Sequence, residues 1–122
     1  MDNKIKIVLT DTSEDARKGL WEALERTGRF DLAGSTGDGS EALRIVEEAK
    51  PDLLVLDLIL PGLDGLGVLR RLDSQDRPTV LAMSTIATQE VVAEAGRLGA
   101  AMFISKPYNE SALVENLIRL AD

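Results

Sequence analysis

Four short runs of this chain, Ile5 to Leu9, Leu53 to Leu56, Val80 to Met83 and Ala101 to Ile104, are apolar at nearly every successive position. A strand with one wet face alternates apolar and polar residues, so unbroken runs of this length require strands covered on both faces. A weaker run, Phe30 to Ser35, supplies a fifth strand. Between the runs lie helix-period patterns: Ala16, Leu20, Ala23, Leu24; Ala42, Val46, Ala49; Leu66, Leu69, Leu72; Val91, Ala95, Leu98; and finally Leu113, Leu117, Leu120. Pro51 and Pro78 stand just ahead of strands, Gly28 and Gly99 follow helices, and Ser13 and Asn109 are placed to cap them. Strand and helix therefore alternate five times, without repeat, linker or low-complexity stretch. Parallel strands need crossovers, and right-handed crossovers put helices on both faces, so the pattern predicts an open, doubly wound α/β fold. At 122 residues, residues 1–122 fit one domain.

Ligands of such a sheet sit at the carboxyl ends of its strands, and four chemically active residues fall there. Asp11 ends the first strand, Asp57 the third, Ser84 the fourth and Lys106 the fifth, followed by Pro107. Any one of these alone reads as a turn, cap or solvated residue. Together they would set two carboxylates, a hydroxyl and an ammonium around one cleft. That set suits phosphoryl transfer onto a carboxylate, which attacks phosphorus while a cation screens the gathering negative charge. Mg²⁺ is the expected cation, since it needs only one or two carboxylates and keeps several waters. Asp57 and Asp11 would hold it with a backbone carbonyl near Ile59. Lys106 would pair with a phosphoryl oxygen as a point charge.

At these residues the chain resembles the receiver domains of two-component response regulators, from Lys4 to the last helix. Asp57, Pro61, Asp64 and Gly65 reproduce the family's D-x-x-x-P-x-x-D-G segment, and Phe103, Lys106, Pro107 and Tyr108 match its fifth-strand motif. The run VLDLILPGLDGLGVLRRL looks most like the receiver of sporulation master regulators, a kind of transcription regulator. The resemblance implies a flavodoxin-like (βα)5 fold with strand order 2-1-3-4-5. It also implies a phosphoacceptor at Asp57, fed by phosphohistidine on a histidine kinase or phosphotransfer protein. Ser84 and Phe103 would be the switch pair: the hydroxyl swings inward and the aromatic ring turns from exposed to buried. That biases the face of helix 4, strand 5 and helix 5, where a homodimer would form.

Two positions depart from the family pattern. An ungapped match places Asp11 on the first of two adjacent acids and Thr12 on the second, which is normally the direct metal ligand. If the missing charge is worth about 1.5–3 kcal/mol, metal affinity falls by about ten- to a hundredfold. Glu14 or Asp15 are placed to compensate, although acids in the first turn also complement the helix dipole. Thr85 follows the switch hydroxyl where alanine or glycine is common, and its branched side chain would narrow the approach to Asp57.

Several function classes are disfavoured. Fourteen basic against twenty-one acidic residues give a net charge of −7, so the chain alone should repel nucleic acid. It has no cysteine for thiolate sites, no histidine for imidazole catalysis and no apolar stretch of membrane-spanning length. The opening MDNKIKIVLT runs directly into a strand pattern and leaves no room for a signal peptide, which predicts a cytoplasmic protein. A haloacid-dehalogenase-type phosphatase requires a second aspartate where Ile59 stands, and a flavin-phosphate site after the first strand would face Asp11, Glu14 and Asp15. The remaining alternative to the phosphoacceptor is a receiver-like binding module that no longer uses phosphorylation. In either case the chain is a regulatory protein that at most catalyses its own phosphoryl transfer and loss. Trp21 is expected beside the core, Gly37 and Gly39 in a plain turn, and the row Val114, Ile118, Ala121 as an extension of the core stripe of the last helix.

Overall fold

The computed structural model describes residues 3–72 and 75–122; residues 1, 2, 73 and 74, which include the start of the MDNKIKIVLT segment, lie outside the described residues. Five strands and five helices alternate: β1 Ile5–Thr10, α1 Glu14–Arg26, β2 Phe30–Thr36, α2 Gly39–Ala49, β3 Leu53–Asp57, α3 Gly65–Arg71, β4 Thr79–Ser84, α4 Gln89–Arg97, β5 Met102–Ser105 and α5 Glu110–Ala121. All strand pairs are parallel and the order across the sheet is β2-β1-β3-β4-β5, the doubly wound arrangement expected from the sequence.

Successive residues of a strand point to opposite faces, and β3 shows why its run is unbroken. Leu53 and Val55 pack with Leu20 and Leu24 of α1 and Leu113 and Leu117 of α5. Leu54 and Leu56 pack on the other face with Val46 of α2, Val68 and Leu69 of α3 and Ala95 of α4. Each face is covered by helices, so neither can be polar. The edge strand β2 is buried only at its two ends, Phe30 and Thr36, and carries a register irregularity opposite Ile7 and Val8, which accounts for its weaker pattern. The second row of α5 also turns inward: Val114 is buried, and Ile118 and Ala121 pack against the α1 side of the core, as does Trp21.

Each helix starts on a side chain that accepts a free N–H of its first turn. Ser13 and Asn109 do so as expected, and Asp38, Asp64 and Thr88 do the same for α2, α3 and α4. Gly28 and Gly99 follow α1 and α4 with positive φ, where a side chain would be strained.

Gly39, expected in a plain turn with Gly37, instead opens α2, because Asp38 caps the helix one residue before it. Its N–H donates to the carbonyl of Pro61 at 3.1 Å, so the loop after β3 is seated on the first residue of α2. A Cβ at Gly39 would lie 1.5 Å from the carbonyl oxygen of Leu63, a backbone atom that cannot step aside. Gly39→Ala is therefore expected to lower stability by about 1–3 kcal/mol in urea unfolding. Gly96→Ala, in a helix with open space around the new Cβ, should gain about 0.5–1 kcal/mol. Equal midpoints for the two variants would contradict the close approach.

Candidate functional site

The carboxyl edge of the sheet gathers the charges that the strand interiors exclude. Asp57 is the last residue of β3, while Asp11 and Lys106 each lie one residue beyond the last of β1 and β5. The Lys106 side chain crosses the end of β4 and donates from Nζ to Asp57 Oδ2 at 2.8 Å and to Asp11 Oδ2 at 2.9 Å. Both aspartate side chains are only 4% exposed, against 20% for the lysine. Two carboxylates nearly out of water thus share one cation, leaving the cluster with one net negative charge.

The remaining carboxylate oxygens are also held. Asp11 Oδ1 accepts the N–H of Ser13 at 2.9 Å, and Asp57 Oδ1 accepts the N–H of Ile59 at 3.0 Å. Behind them, Arg17 donates to the main-chain carbonyl of Asp11 at 2.7 Å and to Ser35 Oγ at 3.0 Å, tying the loop after β1 to β2. The buried Thr10 hydroxyl donates to the carbonyl of Val55 and accepts the N–H of Asp57. Sequence reading singled out neither Arg17 nor Thr10 as part of the site. The available signal for Thr10 was a lone hydroxyl closing an otherwise apolar run.

Ser84 is buried at the adjoining strand end, but its Oγ accepts the N–H of Ile86 at 3.0 Å and makes no bond to Asp57 in this state. The expected gathering of four side chains is therefore direct for Asp11, Asp57 and Lys106, while the serine is turned to its own loop. A cleft of about 150 Å³ opens beside them, lined by Thr12, Asp57, Ile59, Thr85 and Lys106, so Thr85 does stand at the approach to the carboxylate. A larger hollow of about 480 Å³ lies at the opposite edge of the sheet, near Asn3, Asp52 and Arg77, away from the charged cluster. Phe103 is already partly buried and packs on the α4 side of the core, short of the fully exposed starting position expected for a switch residue. Compensation by Glu14 is not seen: its carboxylate pairs with Lys18 at 3.0 Å, one turn along α1. Among the described residues no cluster of three or more His, Cys, Asp or Glu side chains that could hold a metal ion occurs.

The fold and site have counterparts in known proteins. The profile of the family described as response regulator receiver domain matches residues 7–118. A curated relative, protein-glutamate methylesterase/protein-glutamine glutaminase 5 of Myxococcus xanthus, is 40% identical over 105 residues, which is 84% of this chain and 30% of the relative. The chain thus spans about a third of that relative's length. Among solved structures, the signal receiver domain of the NarL response regulator from Mycobacterium tuberculosis superposes with a TM-score of 0.89 at 30% identity, covering 98% of this chain and 97% of that one. The response regulator domain of Thermotoga maritima CheB gives a TM-score of 0.83 at 26% identity, covering 97% and 93%.

Titration offers a direct check on the cluster. Partial burial pulls the Lys106 ammonium down, but its hydrogen bonds and charges with Asp57 and Asp11 outweigh this and hold it above its ordinary value. Burial, and then the Asp11 carboxylate, push the half-buried Tyr108 phenol up. Both raised groups contribute stability at neutral pH that is lost only as the pH climbs through their folded values. The chain has one tyrosine, so tyrosinate absorbance reads Tyr108 alone. Its midpoint should exceed 10.0, the ordinary value, and Asp11→Asn should bring it down. A midpoint unmoved by that change would show that the ring does not feel the acid.

Proposed function

We propose, from the premise that this chain belongs to the response regulator receiver domain family, that Asp57 is the residue on which it accepts a phosphoryl group. Phosphoacceptor function is typical of that family, and the observation that carries the assignment here is the Lys106 ammonium shared by Asp57 and Asp11 at the functional edge of the sheet. The donor would be a phosphohistidine on a histidine kinase or phosphotransfer protein. An Asp57 carboxylate oxygen attacks phosphorus, the phosphorus–nitrogen bond breaks as the new phosphorus–oxygen bond forms, and the imidazole leaves with the electron pair. Lys106 stays beside the reacting oxygens and offsets charge as it spreads over the phosphoryl group.

The donor set suits Mg²⁺. Asp11 and Asp57 already direct one oxygen each at a common cation, the Lys106 ammonium, and the backbone carbonyl of Ile59 is the third protein oxygen we assign. Bound there with its waters, Mg²⁺ would supply further neutralisation of the entering phosphoryl oxygens. Thr12 lines the cleft as a neutral hydroxyl, so the site is weaker by one charge.

As a switch, Ser84 would release the N–H of Ile86 and donate to a phosphoryl oxygen, drawing the loop after β4 inward. Phe103 would sink further into the space vacated, repacking the face of α4, β5 and α5. Ile86 and Val92, both exposed on that side, would seat a second copy of the chain. We place this module in the cytoplasm, with no nucleic-acid contact of its own, acting through a partner or output and not as an enzyme on a separate substrate. The output we assign is transcription control, as in sporulation regulators. One observation favours a second reading, a binding module without phosphoryl chemistry: with Thr12 in place, both carboxylates are already held, by Lys106 on one oxygen and by the N–H groups of Ser13 and Ile59 on the other.

Acetyl phosphate with Mg²⁺ should add one phosphoryl group by intact mass in the natural protein and none in Asp57→Asn. Thr12→Asp should tighten Mg²⁺ by about ten- to a hundredfold. An unmodified natural chain with a responsive Thr12→Asp variant would move the assignment to the binding module. Sedimentation with and without beryllofluoride reads the proposed dimer face, and identical profiles would remove it.

A further inference from the structure

We propose that Thr10 is a positioning residue that sets the spacing of the two carboxylates, an inference that rests on Asp57 being the phosphoacceptor. Backbone pairing between β1 and β3 ends at Leu9 opposite Val55. Just beyond it, the Thr10 hydroxyl donates to the carbonyl of Val55 at 3.0 Å and accepts the N–H of Asp57 at 2.9 Å. Thr10 is 1% exposed, so no water can replace either bond. Valine would fill the same space with the same strand preference, which leaves the hydroxyl unexplained by packing. What the hydroxyl adds is a grip on the one peptide N–H that belongs to the reacting aspartate.

The grip joins two strand ends. Thr10 directly precedes Asp11, so one hydroxyl connects the base of one carboxylate to the base of the other. On the far side, β4 holds Asp57 opposite Met83, and the N–H of Leu58 donates to the Met83 carbonyl at 2.9 Å. Asp57 is thereby clamped between both neighbouring strands. The Lys106 bridge, and any divalent ion bound beside it, require the two carboxylates at a fixed separation, and the Thr10 hydroxyl is the bond that fixes it from below.

The test compares the natural chain, Thr10→Val and Thr10→Ser by acetyl phosphate labelling with Mg²⁺, thermal unfolding and amide exchange. Thr10→Val should lose phosphorylation rate on the order of tenfold while remaining folded, with the Asp57 amide exchanging faster than in the natural chain. Thr10→Ser, which keeps the hydroxyl, should restore both readouts. A Thr10→Val protein that labels at the natural rate with a protected Asp57 amide would overturn the inference. So would a Thr10→Ser protein as slow as Thr10→Val. If Thr10→Val does not fold, the natural chain still decides: a slowly exchanging Thr10 hydroxyl proton, in dipolar contact with the Asp57 amide, supports the bond and its absence refutes it. A natural chain that takes no label overturns the phosphoacceptor assignment, and the hydroxyl resonance with Asp57 exchange in Thr10→Val then judges the positioning by itself.

Discussion

An ammonium between two nearly buried carboxylates holds the working edge of this protein together. Each ion taken from water costs several kcal/mol, and removing one partner of a buried pair typically costs about 3–5 kcal/mol because a charge is left stranded. Against a net stability of about 5–15 kcal/mol for a domain, Asp11, Asp57 and Lys106 can persist there only as a set. The set joins the ends of β1, β3 and β5 across the width of the sheet. It is a structural tie between three strand ends, with one carboxylate charge left over.

The sheet explains why the charges are where they are. Helices cover both faces, so a carboxylate along β3 would be buried without water or partner, and only the strand end gives it both. The supports are local and mostly backbone: N–H groups of Ser13 and Ile59 hold one oxygen of each acid, and Thr10 and Arg17 pin the segments that carry them. The loop after β3 is seated on Gly39, the first residue of α2.

The two departures from the family pattern act on the same edge in different ways. Thr12 places a neutral hydroxyl beside the cluster, so Lys106 faces two acids and the edge keeps one net negative charge. Thr85 adds bulk at the mouth of a cleft of about 150 Å³. Neither alters the core, since Thr12 is exposed and Thr85 lies beyond the last residue of β4. The fold is therefore insulated from changes that tune the chemistry.

The sequence by itself determined the layers, the strands to within a residue or two, the membership of the core and the identity of the three charged residues. These follow from periodicity and from residue type at strand ends, both of which are local. Its motif resemblance also supplied the strand order, which periodicity alone leaves open. Only the tertiary structure decided that Ser84 is turned to Ile86, that Glu14 is drawn to Lys18, that Phe103 already lies partly buried, and that Thr10 and Arg17 stand behind the site. Those outcomes are choices among partners brought close by folding, and hydrogen bonds and ion pairs act over a few ångströms that no spacing along the chain records.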